Sequence, residues 1–427
     1  MSRLLFIPLA LICVSPGILL WDGLIVQGSI CGIVAFGLAI ASVVMRPAEA
    51  RFCLGAILPV AIAAIIPALW ILLQALPVNV APHPIWTNVE AALGYKVARS
   101  ISVDPGASII ALARYLAFVG FGFLTAAVAV ERQRAQTLFF ALIVAGVCTI
   151  LIVVVRDLLP STIEFSTFAG AEAADCLAIT AIVIAAACVR VVERHETHQA
   201  ATRSWMFIAT SVCCVAVAIT VGLSALEGGR EVAVATACGL AVFVYVVIMR
   251  RIQLGPKWIL AFAVPVIGIA VLLLHAHQTE SSRNLLLTYA KQSAASSIDV
   301  TERALGDAPL VGTGAGTFTG MAEIYREMDD PPIPSPPNMA AGFAIELGRP
   351  MLWLIALMTA ILTLMLLKAS LQRGRDSFYS AMGGSCLVTL FLLAFINGSL
   401  SGNAAALLIS AILGVSIAQR KGRTSRT

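Results

Sequence analysis

The sequence predicts an all-α membrane protein, a polytopic bundle of about 12 transmembrane helices. Three observations lead to this fold class, and the first is composition. Of the 427 residues, 59% are hydrophobic and 12% are charged, and the mean hydropathy is +0.95. Soluble domains average roughly 45–50% apolar and about 25% charged residues, and they need a polar exterior. The composition therefore excludes a soluble protein and indicates that lipid is the solvent.

The second observation is a series of apolar stretches with the length that a spanning helix requires, about 20 residues. No strand-type alternation competes with them. The first stretch has the basic start of a signal peptide but lacks an A-x-A cleavage site, so we interpret it as a helix. Internal prolines are tolerated where neighbouring helices satisfy the freed carbonyl groups. The predicted helices lie near 4–20, 24–45, 52–76, 107–130, 137–155, 172–190, 205–226, 231–249, 258–276, 346–367, 378–396 and 403–419.

The third observation is the distribution of charge between the loops. Short cytoplasmic loops carry the excess of Lys and Arg in membrane proteins. With the N-terminus in the cytoplasm, the predicted inner segments hold 18 of the 28 Lys and Arg residues but only 5 of the 23 Asp and Glu residues. This asymmetry predicts an even number of helices, with both termini cytoplasmic.

Long connections fall on the predicted outer side. One spans about 77–106, and the largest, between helices nine and ten, spans 278–345, or 68 residues. Loops of this length are usually functional or disordered. Apolar periodicity in 284–305 and a glycine-rich turn predict that 278–345 is a folded periplasmic cap with at least one helix. We expect residues 1–427 to form a single polytopic domain that includes this cap.

Composition and spacing also exclude several kinds of site. The formal net charge of +5 is too dilute over this length for a nucleic-acid groove. The ten cysteines show no CxxC motif and no Cys/His spacing that fits zinc, so no metal and no cofactor are expected. Cys213 and Cys214 are adjacent and could be redox-active, but their apolar surroundings favour buried, inert thiols.

The most specific stretch is PLVGTGAGTF, residues 309–318, in which Gly312, Gly314 and Gly316 alternate. Glycines at this spacing allow backbone N–H groups to approach an anion such as phosphate. A tight turn without a ligand is the alternative. The stretch lacks the strand and the Lys-Ser/Thr of a P-loop.

Two arginines are candidates for binding an anionic substrate. Arg230 lies in the short outer turn LSALEGGRE, residues 223–231, where it could instead extend to the membrane interface. Arg114 lies about two turns inside the fourth predicted helix, a depth at which an ionisable residue needs a partner or a polar cavity. A structural ion pair and a substrate contact both remain open for Arg114.

These features together resemble the O-antigen ligase and polymerase family of bacterial envelope proteins. The resemblance rests on the many helices, the segment ISVDPGAS before a helix, the short turn with an arginine, and the glycine motif of the large outer loop. That loop ends in PPNMAAGFAIELGRP, residues 336–350. The specific motifs are confined to about 220–232 and 305–350.

The resemblance implies an inner-membrane glycosyltransferase without metal or cofactor. Its partners would be an undecaprenyl-diphosphate-linked oligosaccharide, membrane lipids and other polysaccharide-assembly proteins, with no nucleic acid. Arg230 matches the family arginine that binds the diphosphate. An early-loop basic residue has no clean match, so Lys291 or Arg283 would have to serve. Other substrate-binding candidates are Arg303, Arg114 and the three glycines.

The family histidine that assists the acceptor is missing here. Its place falls at Pro337, followed by Asn338, which matches the asparagine of the motif and is a catalytic candidate. Because an acceptor hydroxyl needs a base within hydrogen-bond reach, Glu323 is a further candidate. Other residues that could serve are Glu327, Asp329, Asp330, His275 and His277.

The predicted function is polymerisation of an exopolysaccharide or O-antigen repeat at the periplasmic face. A ligase that transfers the glycan to lipid A core is the first alternative. A transporter, or a non-catalytic scaffold in polysaccharide assembly, is the second. Displacement of a lipid diphosphate needs positive charge where negative charge develops, and arginine supplies it through a bidentate fork.

Overall fold

The computed structural model describes residues 2–21, 23–78, 82–158, 167–197, 203–252, 286–290, 295–328, 331–372 and 376–420. Within these residues the chain is helical and contains no strand. The described helices are α1 (Ser2–Ile18), α2 (Leu24–Val44), α3 (Pro47–Ala75), α4 (Ile85–Leu93), α5 (Pro105–Val128), α6 (Arg132–Leu158), α7 (Thr167–Thr197), α8 (Arg203–Gly228), α9 (Arg230–Ile252), α10 (Ala295–Asp307), α11 (Phe318–Tyr325), α12 (Met339–Glu346), α13 (Arg349–Gln372), α14 (Ser377–Ile396) and α15 (Asn403–Arg420).

The polytopic helical fold is confirmed. Ten of the described helices are long and apolar enough to cross a membrane, and the shorter apolar helix Leu4–Ile18 accompanies them. Eleven of the twelve predicted stretches coincide with these helices. The twelfth prediction, 258–276, lies outside the described residues.

Local sequence signals set the ends of several helices. Asp104 caps α5, because its side chain accepts a hydrogen bond from Ala107 N at 3.0 Å and Pro105 occupies the first helical position. Pro59 and Pro67 lie inside α3 without ending it, as membrane helices allow. Gly94, with φ 73°, ends α4 in the left-handed conformation.

Helices α14, α15 and α7 form the centre of the bundle. In the most apolar stretch of each helix, 83%, 72% and 67% of the residues, respectively, are buried against other parts of the protein. Tyr379 and Phe139 are fully buried there, with ring centroids 5.7 Å apart. By contrast, only 17% of the residues in the corresponding stretches of α3 and α8 are buried. These two helices present apolar side chains outward, as expected of surfaces that face lipid.

The segments predicted to share a side of the membrane do meet. At one end, called the basic end, Arg132 Nε pairs with Asp376 Oδ2 at 2.9 Å, and Gln419 donates to Ala129 O at 2.6 Å. Arg250 pairs there with Glu193 and also contacts Ser377. The opposite end, called the capped end, carries the long connections.

The described part of the 278–345 connection contains α10, α11 and most of α12. Their apolar faces pack together around Val300, Leu305, Phe318 and Ile345, with Leu352 of α13 beneath them. The 77–106 connection contains one short helix, α4, which the sequence analysis does not predict.

Candidate functional site

The turn between α8 and α9 places Arg230 at the capped end. Gly229 has φ +85°, and Arg230 follows it as the first residue of α9. A Cβ atom on Gly228 would lie 2.9 Å from Ala174 Cβ of α7, so the turn packs directly on α7. Arg230 is exposed, and its guanidinium makes no hydrogen bond or ion pair with the residues that the structure describes. The turn therefore holds a cation at a fixed place with its guanidinium available.

Two buried carboxylates of α7 lie next to this turn. Glu172 accepts hydrogen bonds from Ala404 N at 2.8 Å and Ala405 N at 3.1 Å, so it caps the start of α15. Asp175 accepts from Asn397 Nδ2 at 2.8 Å and from Ser399 Oγ at 2.6 Å. We call these two side chains and the segment 397–405 the carboxylate cluster. Negative charge at a helix N-terminus is electrostatically favourable.

The close packing at the carboxylate cluster explains why residue 402 is a glycine. A Cβ atom at this position would overlap the Glu172 carboxyl group, so only glycine lets the chain approach it. Nearby, Arg156 of α6 pairs with Glu227 of α8, with Nη1 2.9 Å from Oε2. These contacts tie the capped ends of α6, α7, α8 and α15 together.

All three glycines of the glycine motif have a backbone conformation with positive φ, which favours glycine. Gly312, Gly314 and Gly316 have φ values of 81°, 109° and 76°. A Cβ atom on Gly312 would overlap Glu346 O, and one on Gly314 would overlap Ser102 Oγ. The motif thus packs tightly against two other segments, the end of α12 and the start of α5.

The backbone N–H groups of this motif bind an anion, and that anion is a side chain of the same protein. Phe318 N donates to Glu346 Oε1 at 3.1 Å, and Gly316 N also donates to this carboxylate. Arg114 lies close enough to favour its negative charge. Burial raises the pKa of Glu346, while the two N–H groups and Arg114 limit the rise. The glycine loop therefore holds the Glu346 carboxylate through two backbone N–H groups.

Polar side chains of the bundle fasten the cap to the membrane helices. Gln74 Nε2 donates to Val311 O at 2.8 Å and to Glu346 O at 3.0 Å. Trp70 Nε1 donates to Leu347 O at 2.9 Å, and Ser108 Oγ donates to Ala315 O at 3.0 Å. These bonds join α3 and α5 to both ends of the α11–α12 region.

Arg114 lies nine residues, about 13.5 Å, inside α5. Its guanidinium carbon is 5.8 Å from the centre of the Phe118 ring, and its charge acts on Glu346. Arg114 thus has neighbours inside the protein, and a contact with substrate stays a prediction.

Asn338 is fully buried, and it organises the start of α12. Its Oδ1 accepts from Ala341 N at 2.8 Å as the helix cap. Its Nδ2 donates to Leu286 O at 2.6 Å and Phe395 O at 2.9 Å. The side chain is thus engaged in three hydrogen bonds, of which the one to Phe395 O connects the start of α12 to α14.

The remaining predicted residues lie on the helices of the cap or outside the described residues. Glu323 pairs with Arg326 at 2.8 Å on α11, and its side chain is 42% exposed. Arg303 is exposed on α10, 4.0 Å from Glu327. Residues outside the described part of the chain are Arg283, Lys291, His275, His277, Asp329 and Asp330.

Sequence reasoning did not single out Glu172 and Asp175. Both fall at the start of the apolar stretch 172–190, which predicts a membrane helix, and ionisable residues at such positions indicate a functional or structural site. Their spacing of three residues places both on one face of α7, which is a signal that the sequence does contain.

Within the described residues, no three His, Cys, Asp or Glu side chains are grouped so that they could hold a metal ion. Comparisons with the models of known protein families and with curated proteins give no match for this chain.

Proposed function

We propose that this protein polymerises glycan repeat units that are linked to undecaprenyl diphosphate, at the outer face of a bacterial inner membrane. The proposal rests on the family resemblance of the motifs at 220–232 and 305–350. The observation that carries it furthest is Arg230, an exposed cation on a packed turn at the capped end of the bundle.

In the proposed reaction, a hydroxyl oxygen of the acceptor glycan attacks the anomeric carbon of the donor. The bond between that carbon and the diphosphate oxygen breaks, the lipid diphosphate leaves with the bonding electrons, and the proton of the hydroxyl group is released to water. Arg230 would bind the diphosphate and stabilise the negative charge that develops on it. The guanidinium suits this role because it stays charged and binds two phosphate oxygens at once.

The glycine loop would support this reaction through the cap instead of by direct contact. Its N–H groups are occupied by Glu346, so the loop, Gln74 and Ser108 hold the cap over α3 and α5. We propose that the cap shapes the space in which the two glycan chains meet.

A deletion strain tests the function, with its surface glycan separated on a gel. Single-repeat chains, restored to long chains by the wild-type gene, would support a polymerase. Long chains that accumulate on the lipid carrier would instead identify a ligase. Unchanged glycan would reject both and favour a transporter or a scaffold.

We infer that both termini lie in the cytoplasm. The concentration of Lys and Arg on one side supports this orientation, and the contacts at the basic end bring the corresponding segments together. Reporters fused after Arg203 and after Tyr325 should give a cytoplasmic and a periplasmic signal, respectively. Signals from the same side would contradict the orientation.

A further inference from the structure

Helix α14 lies at the centre of the bundle, yet one of its faces borders a cavity. Sixteen of its 20 residues are buried. The other four form two pairs with a spacing of four residues, which places them on one side of the helix. They are Leu390, Phe391, Ala394 and Phe395, and all four line a cavity of about 250 Å³. The side of α14 that the bundle leaves accessible is therefore the wall of this cavity.

Hydrogen bonds hold the walls of the cavity in place. Helices α12, α13 and α15 contribute the other walls. Asn338 Nδ2 donates to Phe395 O at 2.9 Å, and Met339 N donates to Asn397 O at 3.0 Å. These two bonds join the start of α12 to the end of α14. The cavity is thus formed by the fold itself, as ligand pockets usually are.

The lining of the cavity is suited to a hydrocarbon. Thr359 is the one lining residue with a hydroxyl group, and that hydroxyl donates to Ile355 O at 2.9 Å within α13. The other lining side chains are apolar, and the rings of Phe391 and Phe395 lie 5.4 Å apart. Burying a polar group without a hydrogen bond is costly, whereas apolar cavities exclude water and bind apolar molecules. The cavity therefore selects a ligand without polar groups.

Helix α13 connects the cavity to the surface that faces lipid. Trp353, Leu357 and Ile361 are exposed and recur every four residues, so they form an apolar stripe along this helix. Leu352 and Ala356, which each precede a residue of the stripe, line the cavity. Neighbouring residues of a helix point about 100° apart, and the cavity is partly open to the surroundings of the protein. Hydrocarbon chains of the bilayer therefore lie directly beside its opening.

A cation lies at the end of α13 that is nearest to the cap. Arg349 is the first residue of this helix, and it is exposed. It precedes Leu352 by three residues, about 4.5 Å along the axis, and positions with this spacing share a helix face. Its Nη2 donates to Leu305 O at 2.9 Å. A guanidinium has five N–H donors, so this arginine can also bind a phosphate oxygen above the cavity.

We propose that the cavity binds one acyl chain of a bilayer phospholipid, whose phosphate group contacts Arg349. The chain enters beside the lipid-facing stripe of α13 and packs between α12, α13 and α14, so that it joins the cap to the bundle. A phospholipid fits better than the proposed glycan carrier, because the opening adjoins the bulk bilayer and the carrier's diphosphate is assigned to Arg230. The proposal does not depend on the glycan reaction.

The test uses the full-length protein in liposomes of phosphatidylethanolamine and phosphatidylglycerol. A small fraction of the phosphatidylglycerol carries a diazirine in its acyl chain, which forms covalent adducts with neighbouring side chains under ultraviolet light. Mass spectrometry of the peptides then locates the adducts. We expect adducts inside the cavity, at Phe391 of α14 or Ile409 of α15, in addition to adducts at the exposed Leu357 of α13.

Variants that fill the cavity separate it from the outer surface. Ala356→Phe adds a ring inside the cavity, so it should remove the cavity adducts and keep those at Leu357. Ala394→Phe provides the same test from α14 if Ala356→Phe fails to insert. The matched control is Ala360→Phe, one turn further along α13 at an exposed position, which should retain both sets of adducts. Arg349→Gln should lower the cavity adducts relative to those at Leu357.

The source of the chain is tested by adding undecaprenyl phosphate to the liposomes in a small fraction. Unchanged cavity adducts would support a phospholipid, whereas their loss would overturn it and assign the cavity to the isoprenoid chain. Wild-type protein without adducts at Phe391 and Ile409, or cavity adducts that persist in both filling variants, would also overturn the proposal. Equal cavity labelling of Arg349→Gln and wild type would remove Arg349 from the site.

Discussion

At the scale of single residues, Arg230 is the side chain on which the proposed chemistry depends most. If its guanidinium binds the diphosphate, Arg230→Ala should lower the transfer rate by about 10²–10³-fold, as removal of other preorganised charge donors does. Arg230→Lys should recover only part of the rate, because an ammonium group cannot make the bidentate contact. Rates are compared at equal protein level in membranes.

The matched control for Arg230 is Arg51→Ala, which removes an exposed arginine near the start of α3 at the basic end. It should leave the rate unchanged. An Arg230→Ala protein that inserts normally and still works at the wild-type rate would remove Arg230 from the site.

Gly314 tests whether the glycine loop holds the cap in place. It has φ +109°, and an added Cβ would overlap Ser102 Oγ. Gly314→Ala should therefore destabilise the protein by about 1–3 kcal/mol from backbone strain alone. The measurement is thermal unfolding in detergent, together with protease cleavage of the cap.

Gly320 provides the comparison because it lies inside α11, where an added Cβ meets no atom within 4 Å. Gly320→Ala should be neutral or stabilising by about 0.5–1 kcal/mol. Equal unfolding temperatures for the two variants would show that the loop does not need its glycines.

At the scale of structural elements, the carboxylate cluster holds the start of α15 against α7. Glu172→Ala removes the acceptor of two buried N–H groups, and each unsatisfied group costs about 1–3 kcal/mol. Glu172→Gln keeps an acceptor oxygen and should lose less. Glu131→Ala removes a partly exposed carboxylate that pairs with Arg134 at the basic end, and it should stay within about 1 kcal/mol of wild type. If Glu172→Ala and Glu131→Ala unfold at the same temperature, the carboxylate cluster does not stabilise α15.

The α3–α5 connection should make stability depend on pH through His83. Burial lowers the pKa of His83 from its usual 6.5, and its Nδ1 accepts a hydrogen bond from Ile85 N at 3.3 Å, which requires a neutral ring. The unfolded chain therefore binds more protons than the folded one as the pH falls below 6.5, and stability decreases in that range.

The measurement for His83 is the unfolding temperature of the wild type and of His83→Gln between about pH 7 and pH 5, a range chosen to bracket the usual histidine pKa. The wild type should lose more stability on acidification. In the same connection, Arg99 lowers the pKa of Glu90 below its usual 4.5, so Glu90 titrates at lower pH and does not interfere. Identical pH dependence in the two proteins would contradict the assignment.

The elements also show how far the sequence could predict the fold. Long apolar runs identify spanning helices because the bilayer fixes their length, and eleven of the twelve predictions coincide with described helices. Helix ends were less accurate: α7 extends over Thr167–Thr197, beyond the predicted 172–190, because the periodic apolar signal stops before the helix does. The sequence does not predict the short helix α4, because nine residues are too few to show a helical periodicity of apolar residues.

At the scale of the whole molecule, the sequence predicts local motifs but not the contacts between residues that are far apart in the chain. The alternating glycines of the 312–316 loop predict a turn or an anion-binding loop, because glycine allows conformations that other residues rarely adopt. The sequence does not predict their partner Glu346, 30 residues after Gly316, because only folding brings it to the N–H groups of the loop. The same applies to Asp175 and Asn397, which are 222 residues apart in sequence and 2.8 Å apart in space.

In the proposed function, the protein takes glycan repeats from a lipid diphosphate and joins them. The most direct test uses the purified protein in proteoliposomes with an undecaprenyl-diphosphate-linked repeat unit as the only substrate. The proposal predicts a ladder of products that differ by one repeat, with one lipid diphosphate released for each new bond, and a much weaker ladder for Arg230→Ala. Correctly inserted wild-type protein that leaves only single repeats, with no lipid diphosphate released, would contradict it.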